Sequence, residues 1–461
     1  MNHLIQETLF DLTTVTKLTA RRRNVLRSPK QHGNADEDAR PYLAELGQEL
    51  ISAPQAIQFQ PNTSEPVHRW SPYVQGFSAG FVQRTLERYR HEYERPVVLD
   101  PFAGSGTVLV QAKMNGLPSW GIELNPLLQF VGRVKVNSWK TPIERLIEVA
   151  NQVLNSQTLT DAPPFLKSET QFRPKVLLHL RRLKGGIDAF HPADEVDSQI
   201  KDLLLLAFAS ILVDSSNLKR APCLGYAPTK IVGDDVPLRL FSQKVRQIAD
   251  DLSFCQSRLA TYLDTPAEVL LGNSMQVRPD TLCDLIITSP PYMNGLDYVM
   301  NYKIEMAWLG FGQSHRDLKY LKDQMVVCDN VSKSLIRSFE EAQPYTNSWL
   351  ETIKEQIALH IQRRGTYRRQ DMPSIVHKYF DDMYRVMRNV VEILRPGGRF
   401  ILVVGDSLIA DVYVPTDLIL ARIGQELGLQ IERLEKARER RSGQVRSYRL
   451  RETVVTLRKD S

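Results

Sequence analysis

Two acidic residues flank a glycine-containing stretch that has the composition of a nucleotide-binding site. Asp100 ends the apolar run at 97–99, and the residues after it are Pro101, Phe102, Ala103, Gly104, Ser105, Gly106 and Thr107. Apolar residues at helical spacing follow, so this loop would open a helix whose free N–H groups face a ligand. Glu123 lies 23 residues after Asp100, where a carboxylate could bind the two hydroxyls of a ribose. The spacing also fits nicotinamide and flavin dinucleotides.

A second stretch whose residues could take part in chemistry consists of Ser289, Pro290, Pro291 and Tyr292, directly after the apolar strand pattern at 284–288. Two adjacent prolines prevent the backbone from continuing as a strand or a helix. The Ser289 hydroxyl, the Pro290 carbonyl without a strand partner, and the Tyr292 ring are therefore held at a strand end. In a doubly wound α/β fold this strand end lies beside the first glycine loop, in the crevice where ligands bind.

The loop at 100–107 resembles the cofactor loop of S-adenosylmethionine-dependent amino-methyltransferases that act on DNA. The motif at 289–292 is similar to the catalytic motif of the same enzymes, which methylate exocyclic amino groups of nucleobases. The resemblance covers about 68–130, 268–310 and 376–457. One departure is the motif order, because many members carry the glycine loop after the Pro-Pro-Tyr motif, whereas here it comes first. Motif order therefore does not locate the recognition region.

The resemblance implies S-adenosylmethionine as cofactor, double-stranded DNA as substrate, and a cognate restriction endonuclease or other defence protein as partner. It implies catalysis by Ser289, Pro290, Pro291 and Tyr292. It also implies cofactor binding by Phe77, by the loop from Asp100 to Thr107, by Glu123 and by Asn273. Asp297, Tyr298 and Glu305 are similar to positions found after the catalytic motif in a subset of the family, whereas a helix N-cap is the favoured role of Asp297.

The chemistry of an exocyclic amine accounts for the residue types of the second motif. The nitrogen lone pair is delocalised into the ring, so a site must hold the amine in place and accept hydrogen bonds from its N–H groups. Ser289 Oγ and the Pro290 carbonyl can accept them, and the Tyr292 ring can stack on a base extruded from the duplex. Ser289 in place of an aspartate favours cytosine N4, while adenine N6 and RNA bases remain alternatives.

Methylation at cytosine C5 would require a cysteine nucleophile, and Cys223 follows a proline as such nucleophiles do. It lies within a helical pattern and not at a strand end, so we expect a buried, inert thiol. A catalytically inactive nucleic-acid-binding protein of the same fold is the alternative from another functional class. The intact motifs argue against it.

Strand and helix patterns predict the fold class α/β, with a doubly wound, mostly parallel, seven-stranded Rossmann-like methyltransferase sheet and a large helical insertion. The expected organisation is an N-terminal helix and tether at 1–66 and a first part of the catalytic domain at 67–130. A helical insertion at 131–267 is a candidate DNA-recognition lobe. The remainder of the catalytic domain spans 268–461 and carries a basic insertion at about 311–375.

Clustered arginines provide the candidate DNA contacts, because guanidinium groups bind phosphates and base edges. A solvated charged surface is the simpler alternative for each of them. A basic loop or hairpin is expected between two final strands at 430–434 and 452–457. The residues selected are Arg363, Arg364, Arg368, Arg369 and Arg441.

Composition limits the functional classes. The chain has 461 residues, a net charge of +6 and four widely spaced cysteines, which argues against a zinc site and a disulfide framework. No apolar stretch is long enough to cross a bilayer, and the N-terminus lacks the apolar core of a secretory signal. We therefore expect a cytoplasmic protein without a metal or a membrane partner.

Overall fold

The fold is built around one large, mostly parallel β-sheet. A computed structural model describes residues 33–58, 60–71, 76–220, 223–293, 297–327, 331–342, 344–365, 367, 369–442 and 447–460. Twelve strands occur in these ranges: β1 Ile51–Ser52, β2 Val98–Asp100, β3 Ser119–Glu123, β4 Leu218–Arg220, β5 Leu224–Tyr226, β6 Ala267–Leu271, β7 Cys283–Thr288, β8 Leu394–Gly405, β9 Ser407–Ile409, β10 Val412–Val414, β11 Leu429–Arg441 and β12 Arg449–Lys459.

Eight of these strands form the central sheet, in the order β1-β11-β12-β8-β7-β2-β3-β6. All neighbouring pairs are parallel except the two that involve β12, which is antiparallel to both β11 and β8. The carboxyl ends of the parallel strands therefore share one edge with the amino end of β12. The strands β4–β5 and β9–β10 form two separate antiparallel hairpins.

The predicted fold class is confirmed, but the sheet has eight strands instead of seven. The additional strand is β1, which pairs in parallel with β11 at the sheet edge. Its two residues are exposed, so they have neither the length nor the alternation of apolar residues that identifies a strand in a sequence.

Helices cover both faces of this sheet. In the described ranges they are α1 Ala35–Asp38, α2 Arg40–Leu46, α3 Ala79–Tyr89, α4 Thr107–Met114, α5 Pro126–Asn137, α6 Ile143–Asn155, α7 Ser168–Gln171, α8 Pro174–Ala189, α9 Glu195–Ile211, α10 Val236–Arg258, α11 Tyr298–Asn301, α12 Lys303–Trp308, α13 His315–Asp323, α14 Lys333–Glu340, α15 Ser348–Arg364, α16 Met372–Val391 and α17 Thr416–Glu426.

Strand β7 shows how the two faces are divided. All six of its residues are buried, as expected for a central parallel strand covered on both sides. Leu285 and Ile287 belong to a core shared with α3 to α10, whereas Ile286 belongs to a core shared with α14 to α17. The helices of the 131–267 region thus pack on the same sheet as the two motif strands.

Three features of the secondary structure bear on the regions described from the sequence. Helix α16 ends at Val391, and the Arg-Pro-Gly-Gly stretch at 395–398 is already part of β8. The helical region includes the β4–β5 hairpin. The two strands of the predicted C-terminal basic loop or hairpin are longer than expected, since they extend to Arg441 and from Arg449, so most of its arginines lie in β11 and β12.

No helix in the described ranges is long and apolar enough to span a membrane.

Candidate functional site

The two sequence motifs meet at the centre of the sheet. Strand β2 pairs in parallel with β7, which places Leu99 opposite Ile286 and brings both motif loops to the same edge. The Thr288 hydroxyl donates a 2.6 Å hydrogen bond to Asp100 Oδ1. The last residues of the two motif strands are therefore joined directly, one residue before Ser289.

The glycine loop packs closely against the neighbouring helix α5. Gly106 has φ +83°, and a Cβ atom there would lie 3.1 Å from Gly132 Cα. Because both the backbone conformation and the available space disfavour a side chain, glycine is required at this position. Gly104, with φ 52°, donates a 2.8 Å hydrogen bond from its N–H to Glu123 Oε2.

Glu123 is held by backbone groups on both oxygens. Oε2 accepts from Gly104 and Oε1 accepts a 2.7 Å hydrogen bond from the N–H of Asn125. Burial raises the pKa of Glu123 to about 7, although these hydrogen bonds oppose the shift. Burial likewise raises the pKa of Asp100 to about 7, opposed by its bonds from Thr288 and Phe102. Both carboxyl groups therefore titrate near neutral pH.

A cavity of about 670 Å³, part of it open to solvent, lies at this edge. The site residues selected from the sequence that line it are Pro101, Phe102, Glu123, Asn273, Ser289 and Pro291.

The rest of the cavity wall was not predicted from the sequence. Asn125 could have been recognised, because it caps α5 directly after Glu123. The segment from Leu321 to Val326 has no comparable signal, since it lies in the region without a usable pattern. The unpredicted lining residues are Ile122, Leu124, Asn125, Leu128, Ser274, Tyr298, Leu321, Gln324, Met325 and Val326.

Residues 321–327, which we call the strap, are fixed by three other parts of the chain. Asn273 Nδ2 donates a 2.9 Å hydrogen bond to the Gln324 carbonyl. Lys322 Nζ forms a 2.7 Å ion pair with Asp297 Oδ2. Asp382 Oδ2 accepts a 3.0 Å hydrogen bond from the N–H of Val327. The strap thereby closes one side of the cavity. Asp297 also caps α11 through the N–H of Met300, at 2.9 Å.

The turn that follows β7 is held from the helical side and from the C-terminal strands. Tyr379 donates a 2.9 Å hydrogen bond from its hydroxyl to the Pro291 carbonyl. Tyr292 lies outside the cavity lining, with its ring beside Gly405 and Arg440. Burial raises the pKa of the Tyr292 hydroxyl far above its usual value, so this phenol stays protonated.

The remaining predicted cofactor residues, Asp100 among them, do not line the cavity. Phe77 is buried and packs edge-on against Phe81, with the ring centroids 5.6 Å apart. The other loop residues are buried, and Ser105 Oγ has no hydrogen-bond partner among the described residues. The cavity lining does not include Phe77, Ala103, Gly104, Ser105, Gly106, Thr107 or Pro290.

Two of the candidate DNA-binding arginines form ion pairs within the chain. Arg364 forms an ion pair with Asp411, in the turn of the β9–β10 hairpin that follows β8. Arg369 pairs with Asp371, with Nε at 2.8 Å from Oδ1. Arg363 and Arg441 are exposed. Arg368 lies outside the described residues.

Basic side chains of the helical region are mostly engaged within the chain. Lys175 pairs with Asp234 at 3.3 Å, and Arg220, largely buried, pairs with Glu305. Cys223 lies just before β5 and is exposed, so the expectation that it is buried is wrong.

The sequence is similar to several type II methyltransferases over most of its length. M.AvaI of Nostoc sp. PCC 7120 is 25% identical over 415 residues, which cover 82% of each chain. M.BsoBI of Geobacillus stearothermophilus is 22% identical over 440 residues, covering 84% of this chain and 83% of the relative. M.MvaI of Kocuria varians is 21% identical over 391 residues, covering 78% and 82% respectively. No protein-family model matches the chain.

Solved structures give weaker matches. TrmN from Thermus thermophilus has a TM-score of 0.27 and 11% identity, covering 87% of this chain and 53% of its own. A SAM-dependent methyltransferase from Methanosarcina mazei has a TM-score of 0.28 and 8% identity, covering 80% of this chain and 96% of its own.

Proposed function

We propose that this chain is a site-specific DNA methyltransferase that transfers a methyl group from S-adenosylmethionine to the exocyclic N4 of a cytosine flipped out of duplex DNA. One observation carries the proposal. Ser289 and Pro291 line the same cavity as Pro101, Phe102 and Glu123, so an amine-binding motif and a ribose-binding carboxylate face one space. The similarity to type II methyltransferases over four fifths of the chain supports the same conclusion.

The residues present fit S-adenosylmethionine. Each oxygen of Glu123 uses one lone pair for a backbone N–H and retains another for a ribose hydroxyl. Asn273 and Phe102 are the candidate contacts for the adenine. When bound, the cofactor supplies an electrophilic methyl group on a sulfonium.

Residues of this chain bind the target amine and provide a route for the proton that it loses. Ser289 Oγ and the Pro290 carbonyl accept hydrogen bonds from the target N–H groups and fix the nitrogen in place. The bond from Tyr379 to the Pro291 carbonyl keeps the turn rigid. Tyr292 supplies the ring on which the flipped base stacks. The proton that the amine loses passes to water or to Ser289, and no covalent bond to the protein is needed.

The target and the partners follow from the same reasoning. Ser289 in the position of an aspartate favours cytosine N4 over adenine N6. Arg363, Arg364, Arg368, Arg369 and Arg441 contact the DNA backbone, and the helical region at 131–267 contributes to recognition. We further propose a cytoplasmic enzyme that works beside a cognate restriction endonuclease or another defence protein.

The decisive experiment is methylation of duplex DNA with labelled S-adenosylmethionine, followed by mass spectrometry of the nucleosides. We expect label in N4-methylcytosine for the wild type, and at least a tenfold lower rate for Tyr292→Ala and Ser289→Ala, roughly the contribution of a well-placed group. Arg458→Gln, an exposed change in β12 at the opposite edge of the sheet, is the control.

Other outcomes discriminate among the alternatives. Label in N6-methyladenine would retain the site and contradict the inference from Ser289. Cofactor binding without label in any base would instead favour an inactive nucleic-acid-binding protein.

A further inference from the structure

The ring of Tyr292 is bounded by residues that are distant in sequence. A Cβ atom on Gly405 would lie 3.1 Å from Tyr292 Cε2 and 3.0 Å from Arg440 Nη2. The guanidinium carbon of Arg440 is 6.0 Å from the centroid of the Tyr292 ring. Gly405 thus lacks a side chain where the ring and the guanidinium both approach the backbone of β8.

Arg440 is held in place by the C-terminal strands. Its Nη2 donates to the Asp406 carbonyl, directly after β8. Its Nε lies 3.8 Å from Glu452 Oε1, which itself accepts a 2.9 Å hydrogen bond from Arg438 Nη2. The antiparallel register places Glu452 opposite Gly405. The guanidinium therefore has a defined position beside the ring, with only 24% of the side chain exposed.

We propose that Arg440 is a positioning residue that holds the Tyr292 ring in the orientation needed to stack on the target base. The inference deepens the proposed function and rests on it. A guanidinium within about 6 Å of an aromatic centroid attracts the ring electrostatically, and more strongly when it is partly withdrawn from water. The planar guanidinium can also hold the ring and the Asp406 carbonyl simultaneously, which a lysine ammonium matches poorly.

A double-mutant cycle tests this role. Arg440→Gln, Tyr292→Leu and the double variant are compared with the wild type. The substrate is an unmethylated duplex that contains the sequence methylated by the wild type. We expect each single change to lower kcat by roughly 10- to 100-fold, the effect of a misplaced contact group. The double variant should be no slower than Tyr292→Leu, because Arg440 acts only through that ring. The KM for DNA and the cofactor Kd should stay unchanged.

Two further measurements separate positioning from folding. Fluorescence of a cytosine analogue at the target position should report weaker stacking in Arg440→Gln, with an unaltered thermal unfolding midpoint. If Arg440→Gln fails to fold, Arg440→Lys replaces it throughout the cycle, since it retains the charge. Arg458→Gln, at the opposite sheet edge, should match the wild type in every measurement.

Several results would overturn the inference. Additive effects in the cycle would show that Arg440 acts independently of Tyr292. A raised KM for DNA with a smaller salt dependence and unchanged kcat would identify a phosphate contact instead. A wild type that methylates no DNA would remove both the proposed function and this inference, whereas an active wild type with additive variants would remove the inference alone.

Discussion

Glu123 and Asp100 share a position at a strand end and a raised carboxyl pKa. Each ends a central strand, and burial raises the pKa of each to about 7. Asp100 Oδ1 accepts hydrogen bonds from the Phe102 N–H and from the Thr288 hydroxyl, and the second of these joins the two motif strands. Glu123 faces the cavity and retains lone pairs for a ligand.

Cofactor affinity should fall as the pH drops below about 7. The ionised Glu123 accepts ribose hydroxyls, and protonation of a carboxyl whose pKa is raised to about 7 removes acceptor capacity. Well below pH 7, Kd should rise by up to about tenfold per pH unit for one titrating group. Titration calorimetry from about pH 6 to about pH 8 would measure it.

The matched variant is Glu123→Gln, which should weaken binding at pH 8 by about 1.5–3 kcal/mol, the contribution of a hydrogen bond to a charged group. Its pH dependence should be shallower than that of the wild type, with any remaining slope due to Asp100. A wild-type affinity that does not change with pH would contradict the ionised role of Glu123.

The strap shows how an element without a sequence signature completes the site. It begins in the last turn of α13, passes along the cavity and ends at Val327, whose backbone N–H donates to Asp382 of α16. Asn273 after β6 and Asp297 before α11 hold it at two other points. Because Asp297 also caps α11, the strap is linked to the helix that follows the motif at 289–292.

Lys322→Ala should loosen the strap and accelerate cofactor dissociation. The Lys322 and Asp297 side chains are 22% and 15% exposed, so the ion pair is only partly screened. We expect about fivefold weaker cofactor binding, equivalent to about 1 kcal/mol. Stopped-flow dissociation would measure it, with Lys319→Ala, an exposed lysine on the same helix, as the control. Equal rates in both variants would argue against a closing role for the strap.

A buried charge network around Arg451 joins segments that are far apart in the chain. Arg451 in β12 is 1% exposed, and its Nε donates a 2.9 Å hydrogen bond to Asp417 Oδ2 in α17. Its Nη1 donates to the Ala35 carbonyl in α1. Its backbone N–H donates to Asp406 Oδ1. One side chain thus joins the N-terminal segment, the sheet and a helical layer.

Arg451→Leu should destabilise the fold strongly. Asp417 is fully buried and would lose its cationic partner, retaining bonds from Thr453 and from the N–H of Leu418. Breaking a buried pair by removing one partner costs about 3–5 kcal/mol. Urea unfolding would measure the loss. Arg449→Leu, whose side chain is 66% exposed, should change stability by less than about 0.5 kcal/mol.

The sequence alone determined the features that depend on local chemistry. The glycine loop, the Pro-Pro turn and the acidic strand ends are local because backbone restriction and strand length act within a few residues. They were sufficient to predict the α/β class and the residues at the two motif strands. Pro101, Phe102, Glu123, Asn273, Ser289 and Pro291 do line one cavity. The functional roles assigned to them, and the predicted domain limits, remain predictions.

Only the tertiary structure decided which distant segments complete the site. β1 is two residues long and becomes a strand because β11 offers it an unpaired edge. The strap lines the cavity because Asn273, Asp297 and Asp382 hold it there. Arg440 reaches Tyr292 because the antiparallel pairing of β12 with β8 and β11 brings the C-terminal strands to the edge of the sheet where the motif at 289–292 lies. These contacts join residues far apart in the chain, and neither propensity nor short-range periodicity encodes them.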